Sequence, residues 1–229
     1  MIWRVPKIWE GGDCWIIGGG PSVSEQFEIP SKTIEGVSNG TMKPASYAPY
    51  LSYLQDKHVI GVNAAYLLGE SIVDIVFFGD NGFYLSHQQG LADFKGIKVC
   101  CQDKVQRDWI KNTPKDTNKS QGITTRYGFV SWNGNSGAAA INLAYHLGAK
   151  RIFLLGFDMK LNNKENEHWH DVYGRNTNKR PPHKLPFARH LLGFPVIARD
   201  AKQLGIEIIN VNPNSAIEDF PRIGLKQII

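Results

Sequence analysis

No apolar run in the sequence approaches the roughly 18 residues that a membrane span requires. The first residues, Met1-Ile2-Trp3-Arg4-Val5-Pro6, lack the apolar stretch of a secretory leader. A cytoplasmic protein is the expectation. Cysteine is scarce: Cys14, Cys100 and Cys101 show no CxxC spacing, and the adjacent pair is poorly placed for a mutual disulfide. That argues against a structural zinc or a disulfide framework and suits a reducing compartment. Internal repeats and low-complexity tracts are absent too. The triple glycine, Gly18-Gly19-Gly20-Pro21-Ser22, is neither a GxGxxG fingerprint nor a P-loop ending in Lys-Ser/Thr, which disfavours a dinucleotide oxidoreductase and a P-loop ATPase.

What is present is the composition of a globular protein: 42% hydrophobic and 21% charged residues in 229, with a formal charge of +5 that suits an anionic ligand. One domain over residues 1–229 is expected. Short apolar runs alternate with longer stretches, as in βαβ units feeding a mainly parallel sheet with helices on both faces, a Rossmann-like α/β fold. Strands are read at 14–17, 59–62, 74–78, 97–101, 151–155 and 206–211, with helices at about 138–147 and 194–204. Ser136 is the expected cap of the first helix, and Gly148 its left-handed stop. Residues 105–125 turn polar and read as a mobile loop. Residues 159–195 show no regular period, hold four of the seven histidines, and read as a lid or active-site insertion.

In open parallel sheets, ligands bind outside the carboxyl ends of the strands. Small or polar residues follow five strand candidates here: Gly18 to Ser22, Asn63, Asp80-Asn81, Asp158, and Asn212 to Ser215. A sixth cluster, Asn133 to Gly137, precedes a helix. Each is ordinary turn chemistry taken alone. Together they predict one site for a phosphate-bearing nucleotide, with the glycines admitting the ligand closely and offering backbone amides.

The ordered set Ile16 to Ser22, Val62-Asn63, Phe78-Gly79-Asp80, Ser136-Gly137 with an alanine-rich helix, Gly148 to Asp158, and Asn212-Pro213-Asn214-Ser215 resembles the bacterial lipooligosaccharide sialyltransferases. It is also similar to the family of the archaeal 6-hydroxymethylpterin pyrophosphokinases, and to phage proteins carrying Gly-aromatic-Asp-Met followed by His-Trp-His. The sialyltransferase resemblance implies a nucleotide-sugar donor, with Gly18, Gly19, Gly20, Pro21, Ser22 and Asn63 beside phosphate, ribose or sugar. It places Asn135, Ser136 and Gly137 at a helix N-terminus near the nucleotide, and Asp158, Asn214 and Ser215 around the base and ribose. Two positions depart, Gly19 and Asp80, where the family carries asparagine.

Transfer of a glycosyl group to a hydroxyl needs a base near neutral pH and stabilisation of the departing phosphate. His190 falls nearest the family's general base. His168 and His170 are the runners-up, since in an extended segment both imidazoles would face one side, and Asp80 joins these catalytic candidates. The phosphate candidates are Tyr173, Arg175, Arg180 and Arg189. Whether a divalent metal is needed stays open; His168-x-His170-Asp171 could contribute ligands but lacks an evident third. The acceptor could be a glycan or, given the phage-like motif and basic lid, a hydroxymethylated base in phage DNA, which would make the host cytoplasm the site of a DNA modification. Other readings are a pyrophosphokinase-type transferase on a small heterocycle and a nucleotide-binding module without catalysis.

Overall fold

The structure, a computed structural model, describes residues 2–229. Seven strands form one sheet: β1 (Asp13–Ile17), β2 (Val59–Val62), β3 (Ile75–Phe78), β4 (Ile97–Cys100), β5 (Lys111–Asn112), β6 (Arg151–Leu155) and β7 (Glu207–Asn210). Every neighbouring pair runs parallel, in the order β5-β4-β3-β2-β1-β6-β7. The fold is thus the expected Rossmann-like α/β architecture. From β1 the chain builds outward to β5, then returns to place β6 on the other flank of β1. That reversal opens a crevice between the carboxyl ends of β1 and β6.

Alternation along the strands divides the core in two. Ile16, Ile60, Phe77, Ile152 and Leu154 face one apolar layer, which includes Ala138 to Ala140 and Ile141 of helix α4 (Ser136–His146) and Ile197 of α6 (Phe194–Leu204). Trp15, Ile17, Val76, Phe78, Phe153 and Leu155 face the other, packed by Tyr47, Leu51 and Leu54 of a 3-10 stretch, by Val23 of α1 (Ser22–Gln26), by Val37 of α2 (Ser31–Ser38) and by Leu91 of α3 (Asn81–Asp93). Burial on both faces is why these strands read as unbroken apolar runs.

Three local expectations change. The cap of α4 is Asn135, whose Oδ1 accepts from the Ala138 amide at 2.8 Å; Ser136 is already the first helical residue. Gly148 does take positive φ, at 96°. The polar segment 105–125 carries β5 and is otherwise irregular but pinned: Asp116 accepts the Thr124 hydroxyl at 2.6 Å, Asn142 of α4 accepts the Thr124 and Ser131 amides, and Ile123 is fully buried. These buried bonds oppose free motion. Within 159–195, turns give way to a 3-10 turn (Pro182–Lys184) and the short helix α5 (Phe187–Leu191). Its first half is an inward-packed wedge. Trp169 is 1% exposed, donates from Nε1 to the Gly18 carbonyl at 2.9 Å and stacks on Tyr47. No helix among the described residues is long and apolar enough to cross a membrane.

Candidate functional site

β1 and β6 end in loops that close on each other. The Gly18 amide donates to Leu155 O and the Gly20 amide to Gly156 O, at 2.7 and 2.8 Å. A Cβ on Gly20 would lie 1.9 Å from Asp158 Oδ2, and one on Gly18 would lie 2.7 Å from Gly156 O. Glycine is required here for backbone contact. The expectation that the whole run offers its amides to a phosphate is therefore corrected, because two of the three are spent inside the protein.

Above this junction lies a cleft of about 220 Å³. An extended ligand would project from its mouth, since drug-sized ligands occupy about 300–1,000 Å³. Its lining includes Gly18, Gly19, Gly20, Asn63, Asp80, Asn135, Ser136, Gly137, Asp158, His168, Arg189 and His190, which the sequence had placed in one site. Three lining atoms are buried without a hydrogen-bond partner: Asn63 Oδ1, Ser136 Oγ and His168 Nδ1. A buried polar atom left unpaired costs about 1–3 kcal/mol, so a wall holding three of them is chemically incomplete. The N-terminus of α4 lies on the same wall, where the Ser136 and Gly137 amides have no acceptor within the helix.

Other expected residues support the site from behind. Ser22 donates both its amide and hydroxyl to the Asp158 carboxylate, and Asn212 adds a third donor. Burial nevertheless outweighs these bonds and raises the Asp158 carboxyl to about 6. Pro21 is buried outside the lining. Ser215 is turned to the Phe157 carbonyl at 2.6 Å, and Asn214 is exposed. Of the phosphate candidates, only Arg189 lines the cleft. Tyr173 accepts from the Ala64 amide and wedges edge-on against His168 and His170. Arg175 packs over the Tyr173 ring, and Arg180 forms a forked ion pair with Glu167.

The histidines separate sharply. His190, on α5, lines the cleft; Asn135 Nδ2 donates to its carbonyl, and the Arg189 guanidinium lies 3.5 Å from its Nε2. Burial, then Arg189, hold its imidazole below the ordinary value, so it is unprotonated and able to accept a proton at pH 7. His168 also lines the cleft, with burial lowering it to about 4. Its ring covers Gly19, where a Cβ would meet Nδ1 at 2.7 Å, so no side chain fits there beside this imidazole. His170 is removed as a base: it is 2% exposed, lies outside the lining, and its Nδ1 accepts from the Val172 amide. The chain bends at 167–170, yet the two rings do share a side, stacked with centroids 5.3 Å apart and planes 6° from parallel. Face-to-face rings do not converge their nitrogens on one ion, and Asp171 is occupied by Asn176 and Thr177. Among the described residues, no three His, Cys, Asp or Glu side chains are grouped to hold a metal.

Sequence reasoning missed Glu167 and Lys160, together with the apolar walls Trp132, Phe157 and Phe187. Glu167, 8% exposed, is identifiable only once Arg180 is seen to pair with it.

Acid should destabilise this arrangement. His168 and His170, like His87, His146 and His190, are held below their ordinary values mainly by burial. A lowered folded pKa means stability that is present above about 6.5 and lost toward the folded value, on the order of 3 kcal/mol for His168 alone. Asp158, raised to about 6, and Asp219, also raised by burial, work oppositely but are two groups against five. Calorimetry should show Tm falling from pH 7.5 to 4.5, with a shallower fall in His168→Gln. A Tm that holds steady or rises would contradict the assignment.

No family model and no curated protein matches the chain. Among solved structures, the MAf glycosyltransferase from Magnetospirillum magneticum AMB-1 aligns with 98% of this chain and 35% of its own, at 13% identity and TM-score 0.57. The chain spans about a third of that protein's length. The sialyltransferase CstII from Campylobacter jejuni, in complex with the substrate analogue cytidine-5'-monophosphate, aligns over 93% of this chain and 84% of its own, at 16% identity and TM-score 0.47. The CstII complex with CMP-3FNeuAc aligns over 93% and 86%, also at 16% and 0.47. At such identities the likeness is one of fold: the chain has an α/β fold similar to that of a known glycosyltransferase.

Proposed function

We propose that the protein is a glycosyltransferase that moves a sugar from a nucleotide donor to an acceptor hydroxyl. The observation that carries this reading is the cleft itself, where the α4 N-terminus, the unpartnered Ser136 Oγ and a neutral His190 meet at the β1/β6 crevice. A helix N-terminus favours the phosphate of the donor, and Lys160 and Arg189 add positive charge. Trp132, Phe157 and Phe187 offer apolar surface to a base or ribose. His190 then takes the proton of the acceptor hydroxyl as its oxygen attacks the anomeric carbon. The bond to the phosphate oxygen breaks, and its electron pair leaves with the nucleotide, whose charge the α4 amides and Arg189 stabilise.

The test is nucleotide release from a panel of nucleotide sugars, with a parallel thermal-shift screen of CMP, UDP, GDP, ADP and ATP with and without magnesium. At a ligand concentration about 100 times its dissociation constant, a binder should stabilise by about 2.7 kcal/mol. Release from at least one sugar nucleotide is expected. A bound nucleotide with no turnover of any donor would make the protein a binding module instead. Magnesium-dependent formation of AMP from ATP would make it a pyrophosphokinase.

A further inference from the structure

Around His190 the cleft wall carries several hydrogen-bond acceptors. Asp80 immediately precedes α3 but its side chain does not cap the helix, and its carboxylate has no ion pair or side-chain hydrogen bond among the described residues. Glu167 lies on the same lining, and both carboxylates are within Coulombic reach of the His190 imidazole. Asn63 Oδ1 is unpartnered. His168 Nε2 lies 3.6 Å from the Glu167 carboxylate, and its Nδ1 is buried without a hydrogen-bond partner. Arg180, which could have received an anion, has its fork committed to Glu167. Of the lining cations, Lys160 lies within Coulombic reach of Asp158 at the β6 end, and Arg189 lies beside His190, an imidazole that also feels the Asp80 charge.

Acceptors without donors call for a ligand that brings hydrogens, and carboxylates reject another negative charge. Sugar hydroxyls supply the first and avoid the second. Resting on the glycosyltransferase reading, we propose that the transferred group is a neutral, polyhydroxylated sugar whose hydroxyls donate to Asp80 and Asn63 Oδ1 and pair with His168 Nδ1. A sugar carrying a carboxylate is rejected at this wall. The preference is set where the sugar lies and leaves the nucleotide end unaffected.

Matched donors isolate that one charge: UDP-glucose against UDP-glucuronate, GDP-mannose against GDP-mannuronate, and CMP-sialate against its methyl ester. Dissociation constants measured by calorimetry should favour the neutral member on the order of tenfold, as expected for a like charge a few ångströms away in a partly screened site. Asp80→Asn, at an exposed position without bonds to lose, should shrink that ratio while affinity for the free nucleotide stays within about twofold. Equal or tighter binding of the carboxylated members overturns the proposal and leaves the glycosyltransferase reading standing. An undiminished ratio in Asp80→Asn removes Asp80 as its source and overturns the proposal as stated. If no free nucleotide and no nucleotide sugar binds, both fall together.

Discussion

His190→Ala should lower sugar transfer by about 10²–10⁴-fold, the span associated with losing a general base, while leaving the nucleotide dissociation constant within about threefold. The split follows from where the side chain sits. His190 lies on α5, tethered through its own carbonyl to the Asn135 side chain, whereas Asn135 also caps the helix that faces the phosphate. The alanine variant keeps that carbonyl and so preserves the α4 N-terminus; it removes only the imidazole. An interaction made in the transition state alone lowers kcat, not binding. His168→Gln provides the contrast, because its Nδ1 is placed to hold a ligand and its loss should appear mainly in KM. Unchanged kcat in His190→Ala would remove the base, and with His170 sealed in the core, His168 would be the remaining lining histidine.

Gly20→Ala should destabilise the fold by about 3 kcal/mol and abolish nucleotide binding. One methyl group produces this effect because it would lie 1.9 Å from Asp158 Oδ2 and 2.7 Å from Gly156 O. The carboxylate cannot simply turn aside, since Ser22 and Asn212 hold it, and the carbonyl belongs to the backbone of the neighbouring loop. Overpacking of this kind costs about 1–3 kcal/mol and more when backbone must move, which for a chain this size is a Tm drop of about 6–12 °C. Gly82→Ala is the control. Position 82 lies in the first turn of α3 with nothing within 4 Å of the added Cβ, so the same substitution should be neutral or stabilising by up to about 1 kcal/mol. Equal stability of the two variants would contradict the close contact of the β1 and β6 loops.

The sequence makes the sheet legible because each strand is buried on both faces, and the α6 helix legible because its apolar spacing ends at Gly205, which does adopt a left-handed conformation at φ 64°. The stretch between β1 and β2 is harder to read. Its α2 helix and 3-10 segment are threaded with Pro30, Gly36, Pro44 and Pro49, local signals of a break, and are held by burial of Val37, Tyr47, Leu51 and Leu54 against the sheet. At the site, turn chemistry at strand ends brings together Gly18 to Gly20, Asn63, Asp80, Asn135 to Gly137 and Asp158, and these residues line one cleft. It cannot tell a residue that faces the cleft from one that braces it: Ser22 and Ser215 are polar for their neighbours' sake. Nor can it tell a free cation from a committed one, which is why Arg180 reads as a phosphate contact until Glu167 is found beside it.

On the proposed function, a nucleotide binds where the β1 and β6 ends meet the N-terminus of α4. Titration of the nitrogen-15-labelled protein with its best-binding nucleotide tests this directly. The amide resonances of Gly19, Ser136 and Gly137 should shift most, with those of Asn63 and Lys160 following. Largest shifts instead around Arg107, Ile110 and Asn112, at the separate hollow beside β5, would contradict it.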